Sequence, residues 1–231
     1  MKLADGSRCS PLAFNLKQDS PMKKTAREEK PILFSGLMVE SILDNLKTQT
    51  RRVIKIQPDI IEQGEPFWTS SFDGDLLSKK MLICPYGKTG GRLWVRETWR
   101  TVKSVDRTRP IEIPFAYSMI EGHQLCPPVE YLADETDVYD GKTRASIHMP
   151  RWASRINLGI TGIRVQRIQD ISIEDCRAEG SPEVSGKPIY HHYGEEAHRI
   201  WFQYLWDSIN EQRGFGWEAN PWVWVIDFKK S

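Results

Sequence analysis

Four cysteines in 231 residues, Cys9, Cys84, Cys126 and Cys176, are too few and too scattered to frame a fold. Their separations of 75, 42 and 50 residues contain no C-x-x-C pair, so no zinc framework is expected and the thiols read as reduced cytosolic ones. No apolar run approaches the roughly 18 residues a spanning helix needs. The opening MKLADGSRCSPLAF lacks the continuous apolar stretch of a secretory signal, so the expectation is a cytoplasmic protein with no membrane partner. No charge sign dominates: 32 Lys and Arg against 31 Asp and Glu leave +1, which by itself announces no nucleic acid. There is no P-loop, G-x-G-x-x-G, G-x-S-x-G, repeat or low-complexity tract. What is present is a 39% hydrophobic chain, enough for a packed core, with nine tryptophans that need a packing or stacking explanation.

The even balance hides segregation. Residues 111–140 carry seven acids and no Lys or Arg, and residues 141–169 carry six Lys and Arg and no acid. Two further basic groups are Lys47, Arg51, Arg52, Lys55 and Arg92, Arg96, Arg100. Either these are solvated faces with local neutralisation, or the fold gathers them into one positive face that the acidic stretch shields.

Apolar periodicity outlines the elements. A polar arm is expected over 1–30, then one domain over 31–231. ILFSG reads as a strand, Leu37 to about Lys47 as a helix, and RRVIKIQP as a strand stopped by Pro58. Residues 57–80 read as a loop with room for a hairpin. RLWVRETW is a strand, 101–144 a weakly structured insertion with Tyr117 in a short strand, and ASIHM another strand. Arg155 to Ile168 alternates, with Gly159 and Gly162 marking a bulge. Ser172 with Asp175 opens a short helix closed by Gly180. A loop over 181–192 precedes a helix over Glu195 to Ile209, whose inner face is Ala197, Ile200, Trp201, Tyr204, Leu205 and Ile209; WVWVIDF is the last strand. The absence of βαβ alternation favours a mostly β (α+β) fold: a small barrel with flanking helices and insertions near 57–80, 101–144 and 181–192.

Four segments carry chemistry-bearing residues. Lys47 to Arg52 (KTQTRR) turns from helix to strand. It is a dipole-favoured cap and a solvated strand, or a corner where Lys47 activates Thr50 and an arginine holds an anion. In WVRETW, Trp94 and Arg96 share a face, to clamp a base or to serve core and ion pair. Glu179 at a helix C-terminus opposes the dipole, a local misfit of the kind found at functional sites. HMPRWASR sets Arg151, Trp152 and Arg155 in one corner, for gripping a nucleotide or for packing. His191, His192 and His198 have no ligand partner at a recognised spacing, so neither metal nor cofactor is expected.

Taken in order, KPILFSGLMVESILDNLKTQTRRVI, GGRLWVRETW, SIHMPRWASRINL, ISIEDCRAEG, LWDSIN and NPWVWVIDF resemble the ASCH (activating-signal-cointegrator homology) domain proteins carried by bacteriophages and prophages. That resemblance implies a PUA-like barrel with a cleft beside the first helix, associated with RNA and modified nucleosides. Some small ASCH proteins are amidohydrolases acting on N4-acetylcytidine, with a Lys and a Thr three residues apart and a distant Glu. Those positions correspond here to Lys47, Thr50 and Glu179, with Arg52 as the basic residue two beyond the threonine. Gly91 stands where many relatives carry Asp, and the chain is more than twice the length of the smallest hydrolases. Two functions follow. One is an amidohydrolase in which Lys47 deprotonates Thr50 and Glu179 serves the leaving amine. The other is a non-catalytic binder of RNA or a nucleoside through Arg51, Arg52, Trp94, Arg96, Arg151, Trp152 and Arg155. A phage assembly or host-interaction factor is a third, resting on the insertions alone.

Overall fold

The computed structural model describes residues 29–72, 75–121, 127–183 and 192–231. The expected arm up to residue 28, Cys9, Cys126, His191 and most of the 181–192 loop lie outside the described residues. Along the chain, β1 (Glu29–Leu33) leads into α1 (Gly36–Leu43) and β2 (Gln49–Val53), followed by β3 (Ile60–Glu62), β4 (Glu65–Phe72) and β5 (Asp75–Met81). Next come β6 (Arg92–Arg96), β7 (Trp99–Arg100), α2 (Ile113–Glu121), β8 (Glu130–Tyr131), β9 (Asn157–Arg167), α3 (Ile173–Ala178), α4 (Glu196–Asn210) and β10 (Trp222–Lys230). The fold is mixed α+β.

Five strands form one sheet in the order β1-β6-β9-β10-β2, with β1 parallel to β6 and the other pairs antiparallel. Its interior strand β10 is apolar on both faces, as a strand covered on both sides must be. Trp224, Ile226 and Phe228 pack with Val39 and Ile42 of α1. Val223 and Val225 pack with Phe202 and Trp206 of α4. Asp227 pairs with Gly162 and Phe228 with Ile160, so Thr161 is the extra residue of a bulge, where the sequence predicts one. A Cβ at position 162 would sit 2.9 Å from Asp227 Oδ2, so a larger residue there would have to displace that carboxylate.

β1 and β2 are the sheet's two ends, and no described backbone pairing joins them into a closed barrel. The sheet nonetheless curls: the Arg52 guanidinium on β2 donates to the Leu33 carbonyl on β1 at 2.6 Å. Of two smaller sheets, β3-β4-β5 lies in the stretch read as an insertion near 57–80, and β7-β8 pairs the end of the RLWVRETW segment with the stretch read as the 101–144 insertion.

Several expectations are corrected. The first strand begins at Glu29, inside the span read as an arm. The first helix stops at Leu43, because Asn45 turns left-handed at φ 60°, and Lys47 lies beyond it with its N–H on the Ser41 carbonyl. Residues 60–81 form three paired strands. Tyr117 is in α2, not a strand; Ile113, Ala116 and Tyr117 recur at helical spacing and pack around Trp99 with Val105, Met149 and Ala153. The SIH of ASIHM is a single 3-10 turn before Pro150. The buried face of α4 is Ala197, His198, Phe202, Trp206 and Asn210, rotated from the predicted one, and Tyr204 is 74% exposed. Among the described residues no helix is long and apolar enough to cross a membrane.

Candidate functional site

The corner after α1 and the end of α3 are locked together by main chain first. Ser172 caps α3 by accepting from the Asp175 N–H at 3.1 Å. The Thr48 N–H donates to the Ala178 carbonyl at 2.8 Å. Gly180, at φ 90°, closes α3, and a Cβ there would approach Ser41 at 3.2 Å and Lys47 at 3.3 Å. This close approach sets Lys47 against Glu179, 132 residues away. Lys47 Nζ donates to Glu179 Oε2 at 2.6 Å and to the Glu179 carbonyl at 2.7 Å. One ammonium thus compensates both the carboxylate and the helix-end carbonyl, which accounts for a glutamate at a position the dipole disfavours. Lys47 is only 2% exposed. Burial pushes its pKa down from the ordinary 10.5, opposed by Glu179 and aided by Arg52 and Arg51.

Arg51 continues the network. Its guanidinium donates to Glu179 Oε1 at 3.2 Å, Asp175 Oδ2 at 2.5 Å and Gln166 Oε1 at 3.4 Å, and to Gln49 Oε1. Asp175 also accepts from Gln49 and Arg164. Burial would raise the Asp175 pKa, but the Gln49 hydrogen bond and Arg51 outweigh it, and the carboxyl sits below its usual range.

Beside this network lies a cavity of about 190 Å³. That is below the roughly 300–1,000 Å³ of sites for drug-sized ligands, and suits a single ring. Four consecutive β2 residues, Thr50 to Val53, line it. Consecutive residues on a strand point to opposite faces, so the cavity runs along the strand's free edge. Hydrogen bonds from Phe228 to Thr48 and from Ile54 to Trp222 set the ladder phase, in which Arg51 aims its main-chain N–H and C=O away from β10. Among the described residues nothing pairs with those two groups. Met38 and Tyr86 line the cavity from the α1 side of the sheet. Phe202, Leu205, Trp206 and Ile209 line it from α4. Glu179 lies within it, and the exposed Lys55 and Arg213 stand at its rim.

Of the residues singled out in the sequence, Thr50, Arg51, Arg52 and Glu179 line the cavity, and Lys47 sits behind Glu179. The hydrogen bonds of Lys47 go to Glu179 rather than to Thr50. The other five are elsewhere and occupied. Trp94 is 7% exposed, with the Arg96 guanidinium 4.7 Å and that of Arg151 5.9 Å from its ring. Arg151 also donates to Glu29 and Asn157. Arg155 makes a two-pronged pair with Glu97 and a bond to Asp134. Trp152 packs edge-on to Trp99 and donates to the Pro110 carbonyl. Of the α4 wall, the sequence pattern places Leu205 and Ile209 on the helix's inner face and leaves out Phe202 and Trp206. The signal for it was the spacing of Phe202, Leu205, Trp206 and Ile209, an apolar flank beyond what one buried stripe requires. Arg213, Met38 and Tyr86 carry no such signal.

No family model and no curated protein matches the chain. Among solved structures, the chain is similar to the crystal structure of an ASCH domain from Lactobacillus crispatus JV V101. The likeness covers 87% of this chain and 79% of that one, at 12% identity and a TM-score of 0.36.

Proposed function

We propose that the cavity binds a modified nucleobase, on a nucleoside or in RNA, and hydrolyses the amide of an N4-acylated cytidine. The observation that carries this reading is the buried Lys47–Glu179 pair at 2.6 Å opening on a ring-sized cavity that Thr50 also lines. The aromatic and methionine walls suit a planar ring, and the unpaired N–H and C=O of Arg51 suit the polar edge of a base. The resemblance of the ordered sequence blocks to those of ASCH domains implies the same three residues.

In this mechanism the Thr50 hydroxyl attacks the acyl carbonyl carbon. Lys47 and Glu179 act as one acid–base pair: they take the hydroxyl proton and deliver a proton to the departing exocyclic amine. Arg52 or the Arg51 N–H steadies the oxyanion. Water then cleaves the acyl-threonine ester and restores the enzyme. Because burial lowers the Lys47 pKa, the rate should rise with pH at values below 10.5 as the pair loses its proton.

The test is release of cytidine and acetate from N4-acetylcytidine. Thr50→Ala should lower the rate by roughly 100-fold or more. Turnover no higher than in Thr50→Ala rejects hydrolysis. One observation favours binding without catalysis: both Glu179 oxygens are already engaged, by Lys47 and Arg51. That second reading expects quenching of tryptophan fluorescence by single-stranded RNA with a steep salt dependence, and no acetate.

A further inference from the structure

The cavity lining is electrically lopsided. Arg51, Arg52, Lys55 and Arg213 line it, against Glu179 as the one carboxylate among the described lining residues. Glu179 is already shared between Lys47 and Arg51, and Arg51 is also held by Asp175. The imbalance therefore falls on Arg52, Lys55 and Arg213, none of which has a carboxylate within ion-pair distance among the described residues. Arg52 uses one of its guanidinium donors on the Leu33 carbonyl, and its Nε–H is buried with no acceptor. Burial holds its pKa below the ordinary value and Arg213 adds to that, against Tyr86 and Glu179.

These cations are anchored rather than trailing on loose chain. Arg52 belongs to β2, and Lys55 follows Ile54, whose N–H is bonded to the Trp222 carbonyl at 3.1 Å. Arg213 sits in a tight turn fixed by Trp206 Nε1 on the Phe215 carbonyl at 2.8 Å and by the Phe215 N–H on the Asn210 carbonyl at 3.1 Å. Three cations from separate places around one rim match an anion with several oxygens, and two guanidinium forks suit phosphate in particular.

We propose that Arg52, Lys55 and Arg213 form a phosphate site at the rim, so that the ligand is a nucleotide or a nucleic-acid strand rather than a free nucleoside. The inference rests on the nucleobase reading of the cavity and narrows it. A base lodged between Tyr86 and Phe202 leaves its sugar toward the rim, and the phosphate on that sugar meets the three cations. The site contributes affinity that salt weakens.

The experiment compares N4-acetylcytidine, its 5′-monophosphate, a short single-stranded RNA containing that nucleotide, and inorganic phosphate, by calorimetry at low and high salt. The monophosphate should bind at least ~10-fold more tightly than the nucleoside at low salt, and the gap should narrow as salt rises. The doubly substituted Lys55→Gln, Arg213→Gln protein should lose that gap and keep the nucleoside affinity. Both side chains are exposed, so this variant should fold, whereas Arg52→Gln would also cut the tie to β1. A strand that binds more tightly than the monophosphate identifies the phosphate as a phosphodiester; equal binding identifies a mononucleotide. Equal affinity for nucleoside and monophosphate, or a gap that survives the double substitution, overturns the phosphate site while leaving the base reading intact. Salt-sensitive binding of inorganic phosphate that needs Lys55 and Arg213, with no effect of the base, upholds the phosphate site and overturns the base reading.

Discussion

Beside β6, Arg92, Arg100, Arg151 and Arg155 each meet an acid of their own chain. Arg155 grips both oxygens of Glu97 at 2.9 Å and Asp134 at 2.7 Å, Arg100 holds Glu130 at 2.5 Å and Asp137 at 2.6 Å, and Arg151 holds Glu29 at 3.0 Å. Beside β2, Arg52, Lys55 and Arg213 share a cavity rim with one carboxylate that other cations already occupy. The residue types are alike and the local accounts differ. Glu130, Asp134 and Asp137 come from the acidic stretch, so that stretch neutralises the β6 end and leaves the β2 end uncompensated. An arginine is thus structural where the chain supplies the counter-charge, and on our proposal it serves a ligand where the chain does not.

The comparison breaks most visibly at Arg155. Arg155→Ala strands Glu97, which is 1% exposed and whose pKa burial already raises against the pull of Arg155. The expected cost is about 3–5 kcal/mol in urea unfolding, with ligand affinity of the folded protein unchanged. A cost below ~1 kcal/mol would place the pair among weak surface bridges.

A second prediction concerns acid. Burial would raise the Glu130 pKa, but hydrogen bonds from the Val138 and Tyr139 N–H groups, Thr136 and Arg100 hold it at about 2 rather than 4.5. A depressed carboxyl pKa adds stability above the unfolded value and loses it as pH falls toward the folded one. Wild type should therefore lose stability between pH 4.5 and about 2 with a component that Glu130→Gln lacks, measured by thermal unfolding across that range. Identical pH slopes would contradict it.

The smallest effect is expected at Ser172. Ser172→Ala removes the cap of α3 and should cost about 1 kcal/mol. Because Glu179 directly follows α3, the same variant should also lower ligand affinity or turnover at the β2 end. Arg155→Ala, at the other end, should not.

Much of the sheet was legible. WVWVIDF reads as a strand, the Gly159–Gly162 stretch as a bulge, and Ser172 as a cap, because each depends on residues close in sequence. The parts that spacing leaves open depend on distant partners. Lys47 reads either as a dipole-favoured cap or as a site residue, because nothing within several residues shows that Glu179, far along the chain, neutralises it; only the family resemblance links the two. Trp152 and Arg155 read equally as a nucleotide grip or a packed corner, because their partners Pro110, Trp99, Glu97 and Asp134 are invisible to local spacing. The face of α4 was misjudged because Tyr204 and Ile209 complete an apolar stripe on paper, whereas His198 and Asn210 are the residues that turn inward.

The most direct measurement is amide hydrogen exchange with and without N4-acetylcytidine 5′-monophosphate. The account predicts slowed exchange in β2 and in the α4 segment from Phe202 to Asn210, with residues 146–156 unchanged. Protection confined to 146–156, around Arg151 and Trp152, would contradict it.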